Sequence, residues 1–171
     1  MCVLGESMLI GLISDTHDHR ANFARAISLF KKMHVNLILH AGDFCSPFSA
    51  LDWPAEPWCK LIGVFGNNDG DRPALSQAWR RQAKVESEQE IITTDAGFIL
   101  LCHQPQPAEE AVRSKRYQFV VHGHTHLWRD EHTEGVMIIN PGECCGWLHG
   151  EATIAVLDTM ERSVLRLKLG V

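Results

Sequence analysis

Residues 8–17 read MLIGLISDTH and residues 117–126 read YQFVVHGHTH. Each is a short apolar run that stops abruptly at polar side chains. A run of this length with no polar alternation has the pattern of a strand buried on both faces. Working outward from these two, the pattern recurs. Residues 36–40 (NLILH) lead into Gly42-Asp43, residues 60–65 (KLIGVF) lead into Gly66-Asn67-Asn68-Asp69, and residues 97–102 lead into His103. Helical spacing of Phe23, Ile27 and Phe30, with Ala26 and Met33 beside them, predicts a helix over residues 20–33. Pro73 opens a second helix through residue 82, and residues 108–114 form a short third one. Residues 90–94 and 97–102 read as a hairpin around Asp95-Ala96-Gly97. Strands are expected at 117–121, 136–140, 151–158 and 162–168, and residues 53–58 (WPAEPW) as a packed loop. Strand–helix alternation first and strands later predict an α/β fold with mixed sheets. One domain over residues 1–171 is expected, with residues 1–7 an N-terminal extension.

Composition narrows the function classes. The chain has 171 residues, 16 Lys and Arg against 21 Asp and Glu, and a net charge of −5. With no basic block, a stable grip on long nucleic acid is not expected, because Lys and Arg must displace the counterions. A small phosphate ligand remains compatible, since a local metal outweighs the global charge. No apolar stretch is long enough to span a membrane, and the first residues lack the pattern of a secretory signal. Six cysteines occur without a C-x-x-C pair, so they read as reduced thiols of a cytoplasmic protein.

The chemistry lies at the strand ends. The carboxyl ends of strands in an open α/β sheet form a ligand crevice, so these loops are expected to bring Asp, His and Asn together. Asp15-x-His17 and His124-x-His126 place like residues two apart, which in extended chain points both to one face. Such pairs either share one metal or flank two. Carboxylates, an amide oxygen and imidazoles without a thiolate suit Mn, Fe, Co, Ni or Zn rather than a structural thiolate zinc site. Taken singly, each motif is a turn or a helix cap. Their concentration at successive strand ends predicts a metal centre.

Asp15-x-His17, Gly42-Asp43, Gly66-Asn67-x-Asp69, His103 and Gly123-His124-x-His126, in this order, resemble the calcineurin-like metallophosphoesterase superfamily. The compact length and the segments His122-Gly123-His124-Thr125-His126 and Asn140-Pro141-Gly142 are most similar to its small bacterial and archaeal phosphodiesterase branch. The resemblance covers nearly the whole chain from Met8. It implies a four-layer α/β sandwich of two mixed β-sheets flanked by helices. It also implies one divalent ion on Asp15, His17 and His126, a second on Asn67, His103 and His124, and Asp43 bridging both. Manganese is the ion expected first, with nickel, iron, cobalt or zinc as alternatives. The implied reaction is hydrolysis of small phosphodiesters by attack of a metal-bridging hydroxide at phosphorus, in a cytoplasmic, homo-oligomeric protein. Such a core carries a net charge of about +1, which attracts a phosphate anion.

Two positions depart from the family pattern. Many members have His where this chain has Asn68, and a neutral amide donates a hydrogen bond but transfers no proton. Asn68 and Asp69 are the catalytic candidates, Asp69 in a supporting role. Glu143 follows Gly142 where the family often has Ser, and is expected near the pocket, where it repels a second phosphate or binds a cationic group. Among the other histidines, His19 shares the Asp15 loop and His40 is an outer hydrogen-bond partner. The alternatives are a catalytically weak interaction scaffold of the same fold, as in one retromer subunit, and a phosphomonoesterase or nuclease. The complete ligand set argues against a scaffold, and the net charge against a nuclease.

Overall fold

The computed structural model describes residues 8–81 and 83–170. The expected extension at residues 1–7, with Cys2, lies outside the described residues, as does the Gln82 end of the second expected helix. The first half runs β1 (Leu9–Ile13), α1 (Arg20–Lys32), β2 (Leu37–His40), a 3-10 turn (Pro47–Asp52), β3 (Lys60–Val64), α2 (Arg72–Trp79) and β4 (Ala83–Ser87). It continues with β5 (Gln89–Thr94), β6 (Gly97–Cys102), α3 (Gln106–Ser114), β7 (Phe119–Val121), β8 (Trp128–Thr133), β9 (Val136–Pro141), β10 (Thr153–Asp158) and β11 (Ser163–Lys168).

The strands form two mixed sheets, ordered β11-β10-β1-β2-β3-β4 and β5-β6-β7-β9-β8. Side chains alternate across each strand, which explains the uninterrupted apolar runs. Ile10 and Leu12 of β1, Leu37 and Leu39 of β2, Ile99 and Leu101 of β6, and Phe119 and Val121 of β7 meet between the sheets. Their neighbours face outward: Ile13, Ile38 and Leu61 pack under Phe23, Ile27 and Phe30 of α1 and Leu75 and Trp79 of α2. Leu100, Val120 and Ile138 pack under Ala108, Ala111 and Val112 of α3. Helix, sheet, sheet and helix make the expected four-layer α/β sandwich.

The register delivers the loops. β1, β2 and β3 pair in parallel, as do β6 and β7 in the other sheet. Their carboxyl ends therefore open at one end of the sandwich.

Two strands were not expected from the sequence. β4 (AKVES) buries only Val85, and β8 (WRDEHT) buries no residue. Both are sheet edges, where charged side chains guard an open row of hydrogen-bonding groups and erase the apolar signal. Boundaries also shift: α2 stops at Trp79 rather than near 82, α3 starts at Gln106, and β7 and β10 start at Phe119 and Thr153. Among the described residues, no helix is long and apolar enough to cross a membrane.

Candidate metal centre

The backbone around the candidate ligands is unusual. Asp15, His17, Asp43, His124 and His126 all have positive φ, at 51°, 41°, 59°, 68° and 61°. Non-glycine residues in this region are strained by about 1–3 kcal/mol each and cluster at functional sites. Cross-loop hydrogen bonds hold them there. Asp15 N–H donates to Gly42 O at 3.1 Å, His17 N–H to Asp43 O at 3.0 Å, and Gly123 N–H to His103 O at 3.1 Å. The glycines of the motifs are required by proximity. A Cβ on Gly66 would strike the Asp43 carboxylate, and one on Gly123 would strike Ser14 Oγ and Asp15 Oδ2.

The side chains form two groups joined at Asp43. In the first, ligand atoms of Asp15, His17, Asp43 and His126 lie within 4.8 Å of one another. His126 Nε2 is 3.3 Å from Asp15 Oδ1 and 3.3 Å from His17 Nε2. In the second, Asn67 Oδ1 is 2.9 Å from His103 Nε2 and 2.8 Å from His124 Nδ1. Asp43 Oδ2 is 3.5 Å from both His17 Nε2 and His103 Nε2. The seven residues proposed as ligands from the sequence, Asp15, His17, Asp43, Asn67, His103, His124 and His126, thus meet in one crevice.

Hydrogen-bond chemistry tests whether this crevice suits a cation. His103 Nδ1 lies 2.7 Å from Ala41 O, a pure acceptor, so Nδ1 carries the hydrogen. Burial lowers the His103 pKa, which favours the neutral ring. Its Nε2 lone pair then faces the Asn67 and Asp43 oxygens. His126 Nδ1 faces the Glu143 carboxylate at 2.8 Å, which directs Nε2 toward Asp15 Oδ1. Asp15 Oδ1 is buried with no hydrogen-bond partner, and burial pushes the Asp15 carboxyl up to about 7. Converging imidazole nitrogens and carboxylate and amide oxygens, with Asp15 Oδ1 unpartnered among them, are stabilised by a divalent cation, and the hard and borderline donor set fits one.

An outer ring of hydrogen bonds orients these groups. The Asp69 carboxylate accepts from Asp43 N at 3.1 Å, Gly66 N at 2.7 Å and Cys45 N at 2.7 Å, so it organises the Asp43 loop. Gly42 N–H donates to His40 Nδ1, which places the His40 hydrogen on Nε2, toward Thr16 Oγ1 at 3.2 Å. Thr16 in turn donates to Asp43 O. His40 thus reaches the Asp43 backbone only through Gly42 and Thr16, and not a proposed ligand side chain directly. Asn140 Nδ2 donates to Gly123 O at 2.8 Å and Thr125 Oγ1 at 3.0 Å, shaping the His124–His126 loop. Asn68 stands exposed at the crevice, its Nδ2 2.7 Å from Asp43 Oδ2 and its N–H 2.8 Å from Oδ1.

One expectation changes, and the role of His19, left open by its place in the Asp15 loop, is filled. Glu143 is buried and does not line the pocket as a charge selector. Its carboxylate accepts from His126 and from the His149 and Leu148 amides at 2.6 and 3.0 Å. His19 turns its Nδ1 to Asn22 N–H at 3.3 Å and caps α1. Cys45, whose Sγ lies 3.2 Å from His17 Nδ1, was not singled out as part of the site. Its only sequence signal is its place two residues after Asp43.

A family model, the calcineurin-like phosphoesterase superfamily domain, matches residues 8–162. Phosphodiesterase MJ0936 of Methanocaldococcus jannaschii is 36% identical over 167 residues, which span 95% of this chain and 99% of that protein. A solved structure described as a novel archaeal phosphodiesterase superposes with a TM-score of 0.86 at 33% identity, covering 94% of this chain and 99% of that one. Yfce, a phosphoesterase from E. coli, shares the fold at a TM-score of 0.68 and 17% identity, over 95% of this chain and 100% of that one. With this match over nearly all of its length and the motif side chains gathered at one end of the sandwich, the chain belongs to the calcineurin-like phosphoesterase superfamily.

Proposed function

We propose that this protein is a metal-dependent phosphodiesterase that hydrolyses small phosphodiesters by in-line attack of water at phosphorus. The observation that carries the reading is the convergence of imidazole nitrogens and carboxylate oxygens on both sides of Asp43. Asp15, His17 and His126 would hold one divalent ion, and Asn67, His103 and His124 a second, with Asp43 shared. Manganese is the ion we expect. Bound divalent ions supply Lewis acidity, which brings the pKa of water toward 7 and offsets charge on the phosphoryl oxygens.

The remaining work falls to the chain itself. Glu143 and the Ala41 carbonyl fix the tautomers of His126 and His103 so that each presents a lone pair to the crevice. Asp69 holds the Asp43 loop through its three amide bonds. Asn68 offers an amide donor at the mouth, which steadies phosphoryl oxygens but gives no proton to the leaving oxygen. Alkoxide leaving groups are therefore disfavoured against aryl ones. Cys45, Cys59, Cys102, Cys144 and Cys145 are free, which fits a reducing compartment, and we place the protein in the cytoplasm.

The test is hydrolysis of bis(p-nitrophenyl) phosphate by protein stripped with chelator and reloaded with Mn²⁺. Activity is expected only after reloading. Asp43→Ala is expected to keep the wild-type circular dichroism while losing bound metal and activity. Full activity of the stripped protein or of Asp43→Ala would overturn the reading.

A further inference from the structure

Beside the metal centre lies a cavity of about 460 Å³ that the reaction does not use. Its volume is within the roughly 300–1,000 Å³ of small-molecule pockets. His19, Asn22 and Arg25 at the start of α1 form one wall, and Trp147, Glu151 and Lys168 lie around the rest. Trp147 lines the cavity and also stands beside His17 of the candidate metal centre. Its ring lies 6.4 Å from that of His17 at an interplanar angle of 30°, and 5.8 Å from that of His19. Although it is the largest side chain type, Trp147 is 63% exposed.

The loop carrying Trp147 is held firmly. Cys144 N–H and Cys145 N–H donate to Ser14 O and Asp15 O at 3.0 and 3.1 Å, tying the loop to the strand end that bears Asp15. On the far side of Trp147, the Leu148 and His149 amides donate to the buried Glu143 carboxylate. The exposed indole is thus set beside His17 by the same bonds that build the metal centre. A flat, apolar face on a hydrogen-bonded loop, next to the proposed phosphate-binding crevice, suits a planar ring on the phosphate ester, because stacked rings gain contact at little entropic cost.

The charges agree with an arm of mixed polarity. Arg25 Nη1 donates to Asn22 Oδ1 and Gly170 O at 3.2 Å each, while Lys168 pairs with Glu151. The cavity therefore has one cation, Arg25, without a carboxylate partner among these lining residues, and amide and carbonyl groups suited to a polar heterocycle.

We propose that this cavity is the subsite for one organic arm of the phosphodiester, and that Trp147 selects a flat aromatic or heterocyclic arm, such as a phenyl or nucleoside group, over a small alkyl one. The proposal rests on the phosphodiesterase reading and adds the substrate class. Its test is binding of phosphate monoesters to the Mn²⁺-loaded protein by calorimetry, using phenyl phosphate, adenosine 5′-monophosphate and methyl phosphate as probes. The first two are expected to bind at least about tenfold tighter than methyl phosphate. Trp147→Ala should remove that margin, and Trp147→Phe should keep most of it. Mn²⁺ affinity, measured in the same samples, should stay at the wild-type value in both variants, since Trp147 supplies no ligand atom. The proposal falls if wild type shows no margin or if Trp147→Ala retains it. In those cases continued hydrolysis of diesters leaves the function standing without this subsite. Wild-type protein that loads Mn²⁺ yet hydrolyses no diester would overturn the function and the subsite together.

Discussion

Replacing Glu143 with glutamine keeps the size of a buried side chain and removes its charge. Burial works to raise the Glu143 pKa, but hydrogen bonds from His126, His149 and Leu148 outweigh it and hold the carboxyl below its ordinary value. The residue is therefore an anion facing the outer nitrogen of a proposed ligand at 2.8 Å. A hydrogen bond to a charged group contributes about 1.5–3 kcal/mol, and a neutral one about 0.5–1.5. Losing the charge costs about 1 kcal/mol at His126 and a similar amount at each of the two amides. Glutamine also has a single acceptor oxygen, and its NH₂ is forced toward N–H donors. The expected loss of stability is about 2–4 kcal/mol. His126 also becomes a weaker and less well-oriented ligand, and loss of such an outer carboxylate lowers metal affinity by about 10–100-fold. Titration of Mn²⁺ into chelator-treated wild type and Glu143→Gln measures the second effect, and urea unfolding of the same metal-free samples measures the first. An unchanged Mn²⁺ affinity alongside the full stability loss would show that Glu143 anchors the 143–149 loop only, and would refute the argument from His126.

Two further outcomes follow from the geometry. The native state of metal-free protein keeps the Asp15 proton up to a pKa of about 7, against 3.8 for an unperturbed Asp. Between these values the native state binds more protons than the unfolded chain, so the Asp15 contribution to stability falls as pH rises. Buried His40 and His122, with lowered pKa values, act in the opposite sense. The comparison is therefore with Asp15→Asn: wild-type stability minus variant stability should fall from about pH 4 to pH 7, and Mn²⁺ should reverse the trend, whereas a rising difference in metal-free protein would contradict it. Asn68→His should raise kcat/KM for diesters with poor leaving groups by up to about 10²–10⁴-fold and change good ones little. Equal effects across a series of leaving-group pKa values would show that a different group supplies the proton.

Much of the fold was legible because its central strands are buried on both faces. The runs at Leu9–Ile13, Leu37–His40 and Gly97–Cys102 carry no polar alternation, and that pattern survives without any knowledge of partners. The edge strands Ala83–Ser87 and Trp128–Thr133 were illegible for the converse reason. Their character comes from pairing with a neighbour on one side only, and a charged edge strand reads as a loop in one dimension. The same distinction runs through the site. Asp15, His17, Asp43, Asn67, His103, His124 and His126 each follow a strand or its turn, so strand reading puts them among the strand-end candidates, and the family resemblance singles them out as ligands. Glu143 lies in a loop after β9, and its target is 17 residues away in the chain at His126. Nothing local in the sequence marks which side chain a buried carboxylate will meet.

The sequence by itself determined which residue types stand at the strand ends, because apolar runs and the polar residues that stop them are local properties of the chain. It also determined the net charge of −5 and the lack of a run of basic residues, since charge composition needs no coordinates. Only the tertiary structure decided that Asp43 Oδ2 lies equidistant, at 3.5 Å, from His17 and His103. That distance depends on how two separate sheets twist and pack against each other, through contacts far apart in sequence. It likewise decided that Asp69 faces backbone amides, that Glu143 faces His126, and that Trp147 stands exposed beside His17. Each of these is an orientation, and side-chain orientation is set by the loop backbone and its cross-chain hydrogen bonds rather than by the identity of the residue.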